Sequence, residues 1–320
     1  MTRDREKLAP YAAWIAVCLL WGTTYLAIRV GLETLHPMIF AGLRFLTAGI
    51  LLFGYVRLIR KERLPKGREW FDLSLIGVLL LVLGNGLVVF SEQWLPSGLA
   101  ALMVATSPFW IAGFELMNTE GERLSIRALL GMLVGFAGLL LLVAPDLFGS
   151  ALGSGYVFGV IAIQIACAAW SGGSVYAKRR RVGTSPLMGS AIQMLIGGLI
   201  MTVAATFMGE WHTLRFSPRS AIAFSYLVIF GSIVAYGCYT YAVQTLPLSL
   251  VSTYAYINPL IAVILGWAIL REPLSWRVLI SAAIILAGVA MVKTAPKRRA
   301  QRQPIATEDA PPIATVRTAA

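Results

Sequence analysis

The stretch STYAYINPLIAVILGW, residues 252–267, is apolar enough to cross a membrane, yet Asn258 and Pro259 stand in its middle with Tyr254 and Tyr256 just upstream. A proline removes a helical hydrogen bond, and an asparagine carries donors and acceptors that hydrocarbon cannot satisfy. An equivalent arrangement occurs earlier, where Pro108 follows Thr106 and Ser107 inside another apolar run. Pro108 leaves the carbonyl of Val104 without its helical donor, and Pro259 does the same to Ala255. A lone proline of this kind is well explained as a packing kink closed by a neighbouring hydroxyl. Two in matched places, each with polar neighbours, argue for opened backbone that meets a solute.

Aromatic residues form the second candidate set. Trp21, Trp170, Tyr239 and Tyr254 fall within apolar runs, and Trp21 and Trp170 lie too far inside for an interfacial belt to account for them. Ring faces suit amphipathic organic solutes and hold cations; helix packing is the plain alternative. Tyr254 and Tyr256 point to different helix faces, and Tyr254, four residues before Asn258, is the one expected to share its face. Thr24, Asn85 and Ser174 add polar atoms, and glycines on both sides of Asn85 let another helix approach its amide. The expected substrate cavity is therefore lined by Trp21, Thr24, Asn85, Thr106, Ser107, Trp170, Ser174, Tyr239, Tyr254 and Asn258, with helix breaks at Pro108 and Pro259.

Embedded charge is scarce. Arg44 needs a partner or a wetted cavity, and Glu92 and Glu33 are candidates on the same side; a structural ion pair and a coupling role are both open for Arg44 and Glu92. Hydrolytic or nucleotide chemistry lacks its parts. The sequence contains no Walker A motif and no HExxH, and His36 and His212 lie in loops. Cys18, Cys167 and Cys238 stand singly, which supports neither a disulfide framework nor a zinc site. No cofactor or metal is expected.

These residues need a membrane scaffold. Of 320 residues, 58% are hydrophobic and only 13% charged, with a mean hydropathy of +0.75, too little charge to solvate a soluble surface. Ten runs are long enough to span: 11–31, 37–57, 71–91, 97–117, 125–144, 154–177, 186–208, 220–242, 248–270 and 275–293. Pro108 and Pro259 each lie eleven residues into a run, about 16 Å of a core about 30 Å thick. The net charge of +12 sits at the ends of these runs rather than in a basic domain, which fits anionic headgroups and not nucleic acid. Arginine and lysine crowd the side of Arg57 to Arg68, the KRRR at 178–181 and the tail, whereas the other side keeps Arg29, Arg215, Arg219, Arg271 and Arg277. Both termini are thus predicted to be cytoplasmic.

The chain is also written twice. Gln93, Pro96 and Pro108 recur as Gln244, Pro247 and Pro259 at an offset of 151; Glu122 and Gly138 recur as Glu272 and Gly288 at 150; Trp21 and Pro37 recur as Trp170 and Pro186 at 149. Five spans per half is an odd number, so the second copy enters from the opposite face. An inverted pair of this kind places a substrate site between repeats near the midplane. Repeat one is expected over 11–144 and repeat two over 153–293, after a cytoplasmic segment 1–10 and before a disordered basic tail 294–320.

LLWGTTYLAIRVGLETLHPMIFAGLRFLTAGILL, PSGLAALMVATSPFWIAGFE and SLVSTYAYINPLIAVILGWAILREPLS resemble the EamA-type, ten-helix branch of the drug/metabolite transporter superfamily, nearest its YedA-like bacterial inner-membrane members. The resemblance covers about 11–293. It implies an all-α polytopic protein, a 5+5 inverted repeat around a central cavity lined by helices one, three, four, six, eight and nine. Trp21, Asn85, Thr106, Trp170, Tyr239 and Asn258 fall on those helices. It further implies secondary export of amino acids, metabolites or drugs across a bacterial inner membrane, driven by a coupling ion such as a proton or by an exchange solute. An intramembrane enzyme of lipid or prenyl metabolism and a non-transporting partner or sensor remain the rival classes; substrate and oligomeric state are not legible.

Overall fold

The computed structural model describes residues 2–116, 122–123, 126–148, 154–180, 182–294 and 298–299. Ten apolar helical spans account for almost all of it. They are α1 Thr2–Gly31, α2 Pro37–Gly54, α3 Arg68–Ser91, α4 Ser97–Val104 with Ser107–Leu116, and α5 Ile126–Phe148. The second half supplies α6 Ser154–Arg180, α7 Pro186–Phe207, α8 Pro218–Thr245, α9 Leu248–Val251 with Tyr254–Leu270, and α10 Trp276–Lys293. Seven are long and apolar enough to cross a membrane outright; α5, α9 and α10 supply shorter apolar stretches. α1 runs back through the expected non-spanning segment 1–10 to Thr2. A two-residue antiparallel pairing, Glu122–Arg123 with Arg298–Arg299, is the sole strand structure among the described residues. The expected disordered tail lies mostly outside them.

Helix packing reproduces the duplication. α1 packs on α8 and α9 as α6 packs on α3 and α4; α2 packs on α7 and α8 as α7 packs on α2 and α3; α5 packs on α10. Exchanging each helix with its counterpart in the other half turns this pattern into itself, and five spans in each half make the two copies inverted. The α5–α10 seam relies on Gly131 and Gly288: a Cβ at Gly131 would lie 2.7 Å from the Gly288 carbonyl. Small residues let the two backbones touch, the usual source of helix affinity where lipid is as apolar as leucine.

α3 and α8 share a feature that the sequence did not announce. Val78–Gly86 in α3 and Leu227–Val234 in α8 are wound as π-helix. Val78 and Leu227 open these segments 149 residues apart, the spacing that also separates Trp21 from Trp170. π-Turns are rare and widen a helix, freeing carbonyls toward a site.

Loops gather on two faces. On the arginine-rich face, Arg63 donates to the Gly183 carbonyl at 2.9 Å and Thr184 to Glu69 at 3.1 Å. There Lys178 also donates to the carbonyls of Val243 and Leu246, both at 2.8 Å, capping the carboxyl end of α8 with a cation. On the arginine-poor face, Arg219 pairs with Glu33 at 3.3 Å and Glu210 accepts from the Ile39 N–H at 2.7 Å.

Candidate functional site between the repeats

The freed carbonyls are handled differently in the two halves. In α4 the helix breaks at Ala105–Thr106, and Ser107 Oγ donates at 2.7 Å to the Val104 carbonyl that Pro108 deprives of its partner. In α9 the break falls at Ser252–Thr253, and Pro259 sits inside the continuing helix Tyr254–Leu270. The expected break at Pro259 is thus displaced six residues upstream. Thr253 Oγ1 bonds the Leu250 carbonyl at 2.7 Å there, and i→i+3 bonds tighten the turn. Asn258, oriented with its amide nitrogen toward the available acceptors, donates to the Cys18 carbonyl of α1 at 2.8 Å and to the Tyr254 carbonyl at 3.2 Å.

A cavity lies at this level. From the first half it receives Trp21, Thr24, Asn85 and Ser107; from the second, Trp170, Tyr254 and Asn258. Seven of the ten expected cavity residues are therefore brought together. Tyr254 lines it and Tyr256 does not, as their helix positions require. Space for the centres of water-sized molecules is about 60 Å³. That admits a few waters and falls short of a drug-sized pocket.

Three expected residues lie elsewhere. Thr106 is fully buried, with Oγ1 on the Met103 carbonyl at 2.7 Å and Gln164 at 3.4 Å, so it faces α6. Ser174 and Tyr239 join by a 2.6 Å hydrogen bond and line a second, smaller pocket with Gln193 and Thr240, toward the arginine-rich face. Each is the price of reading a helix face without its twist. Tyr25 and Cys167, which the expected lining leaves out, also line the cavity between the repeats.

An aromatic layer separates the two pockets. Trp21 meets Trp170 edge-on at 5.3 Å, Tyr254 edge-on at 5.2 Å and Tyr239 at 5.0 Å between ring centroids; Trp170 meets Tyr239 at 5.2 Å. These are favourable ring geometries. Trp21 Nε1 donates to the Gly231 carbonyl at 3.1 Å, inside the π-wound part of α8. Trp170 packs where Gly84 leaves room: a Cβ there would lie 2.9 Å from its ring. The neighbouring Asn85, in the π-wound part of α3, lines the cavity and its Oδ1 has no hydrogen-bond partner. A buried acceptor without a partner is costly to leave so, and a donor brought within its reach would be favoured.

Arg44 and Glu92 are brought near each other without an ion pair. Arg44 is buried, with Nε on Ser232 Oγ at 2.9 Å and its guanidinium 4.6 Å from the Phe45 ring centroid. Glu33 is taken by Arg219 instead. No group of three or more metal-ligating side chains occurs among the described residues.

Residues 9–144 and 157–294 each match the EamA-like transporter family. The chain belongs to that family. Like other EamA members it carries the domain twice, and it is a membrane transporter. It is 37% identical over 292 residues to a protein of Escherichia coli (strain K12) described as an uncharacterized inner membrane transporter, YedA, a match covering 91% of this chain and 92% of that one. It is 23% identical over 289 residues to a Bacillus subtilis (strain 168) protein described as an uncharacterized transporter, YoaV, covering 87% and 94%. A solved crystal structure shares the fold with a TM-score of 0.64 at 21% identity, over 88% of this chain and 95% of that one.

Proposed function

We propose that the chain is a secondary exporter of amino acids or other small amphipathic metabolites and drugs, working by alternating access across a bacterial inner membrane with both termini and the arginine-rich face in the cytoplasm. The observation that carries this reading is a cavity walled by Trp21, Trp170 and Tyr254 between inverted repeats, with Asn85 in its lining and the Asn85 Oδ1 buried without a partner. An acceptor beside ring faces suits an ammonium or other N–H donor attached to an apolar body. The cavity's narrowness belongs to a closed conformer; repeats that rock against each other would widen it from either side. A wide vestibule, about 810 Å³, stands outside it on the arginine-poor face, lined by Arg29, His36, Gln93 and Glu272. A proton or an exchanged solute would drive the cycle.

The experiment is resistance. Overexpression should raise tolerance to at least one toxic amino acid analogue or amphipathic drug and lower its intracellular level. Unchanged tolerance across the panel, with the protein present in the membrane, would sink the export reading.

A further inference from the structure

Glu92 follows the last residue of α3 and its side chain is wholly buried. Neither carboxyl oxygen has a hydrogen-bond partner. The arginines that could neutralise it are engaged elsewhere. Arg29 Nη1 donates to the backbone carbonyls of Glu92 itself and of Gln93, the latter at 3.3 Å. Arg44 spends Nε on Ser232 and lies against Gly231, and its Nη1 has no partner. The charged and titratable groups that act on Glu92 are Arg29 and Tyr25 of α1, Arg44 of α2 and Glu272 of the α9–α10 loop.

Its position is a partition. Ile28 and Val88 line the cavity between the repeats, whereas Arg29 and Gln93, their near neighbours in sequence, line the vestibule. Glu92 sits between, in the wall that closes the cavity from the arginine-poor face. An ionised carboxylate without hydrogen bonds is costly to bury, so the group is neutral while that wall is closed. Water reaching it when the wall opens removes that cost.

We propose that Glu92 is a proton-binding site linked to closure of the arginine-poor entrance: the carboxyl takes a proton from water as the entrance closes and returns it to water as it opens. This deepens the transport reading and rests on it. Burial pushes the carboxyl well above the usual carboxylate range, Glu272 adds in the same direction, and Arg29 and Arg44 oppose. The closed conformer therefore binds the proton more tightly than the open one. Closure is favoured at low pH and lost as pH rises through the range of the buried group.

The test uses the full chain with Cys18, Cys167 and Cys238 replaced by Ala, in sealed vesicles, with a membrane-impermeant maleimide added at the arginine-poor face. One reporter, Ile28→Cys, lines the cavity; a second, Phe216→Cys, is on an exposed loop and corrects for thiolate chemistry. The ratio of their labelling rates should rise between about pH 5 and about pH 9, by up to about tenfold per pH unit, the limit for one linked proton. Glu92→Gln should give a flat ratio, and Glu92→Asp a step at a different midpoint. A flat ratio with Glu92 present overturns the proposal. So does a step that survives Glu92→Gln, which would assign the titration to a different group. Should Glu92→Gln fail to accumulate, an unmoved midpoint in Glu92→Asp overturns it equally. Solute flux is not read, so failure of the export reading would show as absent flux with the pH step intact.

Discussion

Glu272 caps the amino end of α4 from the other repeat: Oε1 accepts from the Ser97 N–H and from Ser97 Oγ, both at 2.8 Å, and Oε2 from the Gly98 N–H at 3.1 Å. A carboxylate there satisfies donors that a helix start leaves open and meets the positive end of its dipole. The contact ties the α9–α10 loop to α4 beside the vestibule, across the boundary that the proposed alternating access would move. Glu272→Ala should cost about 2 kcal/mol of closure, about a thirtyfold shift toward the open conformer. Faster thiol labelling of Ile28→Cys from the arginine-poor face checks it; an unchanged rate removes Glu272 from the closure.

Gly84→Ala drives a methyl group to within 2.9 Å of the Trp170 ring. Overpacking of this kind costs about 1 to 3 kcal/mol. The variant should unfold at lower temperature in detergent, and Trp170→Phe, a smaller ring, should restore much of the loss. Independent, additive effects of the two substitutions would contradict the contact.

Much of this was legible from residue types and spacing. The offset that pairs Trp21 with Trp170 places both at the centre of the bundle, where they meet at 5.3 Å. Asn85 was visible because glycines flank it, Gly84 admitting Trp170 and Gly86 admitting Met201. The break at Ser252–Thr253 was hidden because proline is the louder signal, whereas here hydroxyl back-bonding and i→i+3 turns open the helix without it. Thr106 was misassigned because the α4 break rotates its side chain toward Gln164. The Glu272–Ser97 cap joins residues 175 apart and follows from packing alone.

Ser107→Ala should leave the Val104 carbonyl unsatisfied at the α4 break and destabilise the protein by about 1 to 3 kcal/mol. Pro108→Ala supplies the missing N–H, so the double variant should recover stability toward that of the parent. Thermal unfolding of the two single variants and the double reads this cycle. Destabilisation that Pro108→Ala fails to relieve would mean the hydroxyl serves another purpose.

Asn258→Leu removes the bonds to the Cys18 and Tyr254 carbonyls while keeping an apolar side chain of similar size. Membrane insertion and expression should persist, and transport should be lost because α9 is no longer held to α1 beside the cavity. Normal transport by this variant would make Asn258 a packing residue.

Recognition of a solute between the repeats by Asn85 and the aromatic wall is best read by counterflow in proteoliposomes of the purified chain. A panel of radiolabelled amino acids and amphipathic amines should include at least one with saturable flux. Asn85→Leu should cut that flux by about tenfold or more, the worth of one buried hydrogen bond to a charged donor, and Trp170→Ala should do likewise at equal incorporation. Saturable flux that both variants carry unchanged would mean that the solute is bound elsewhere.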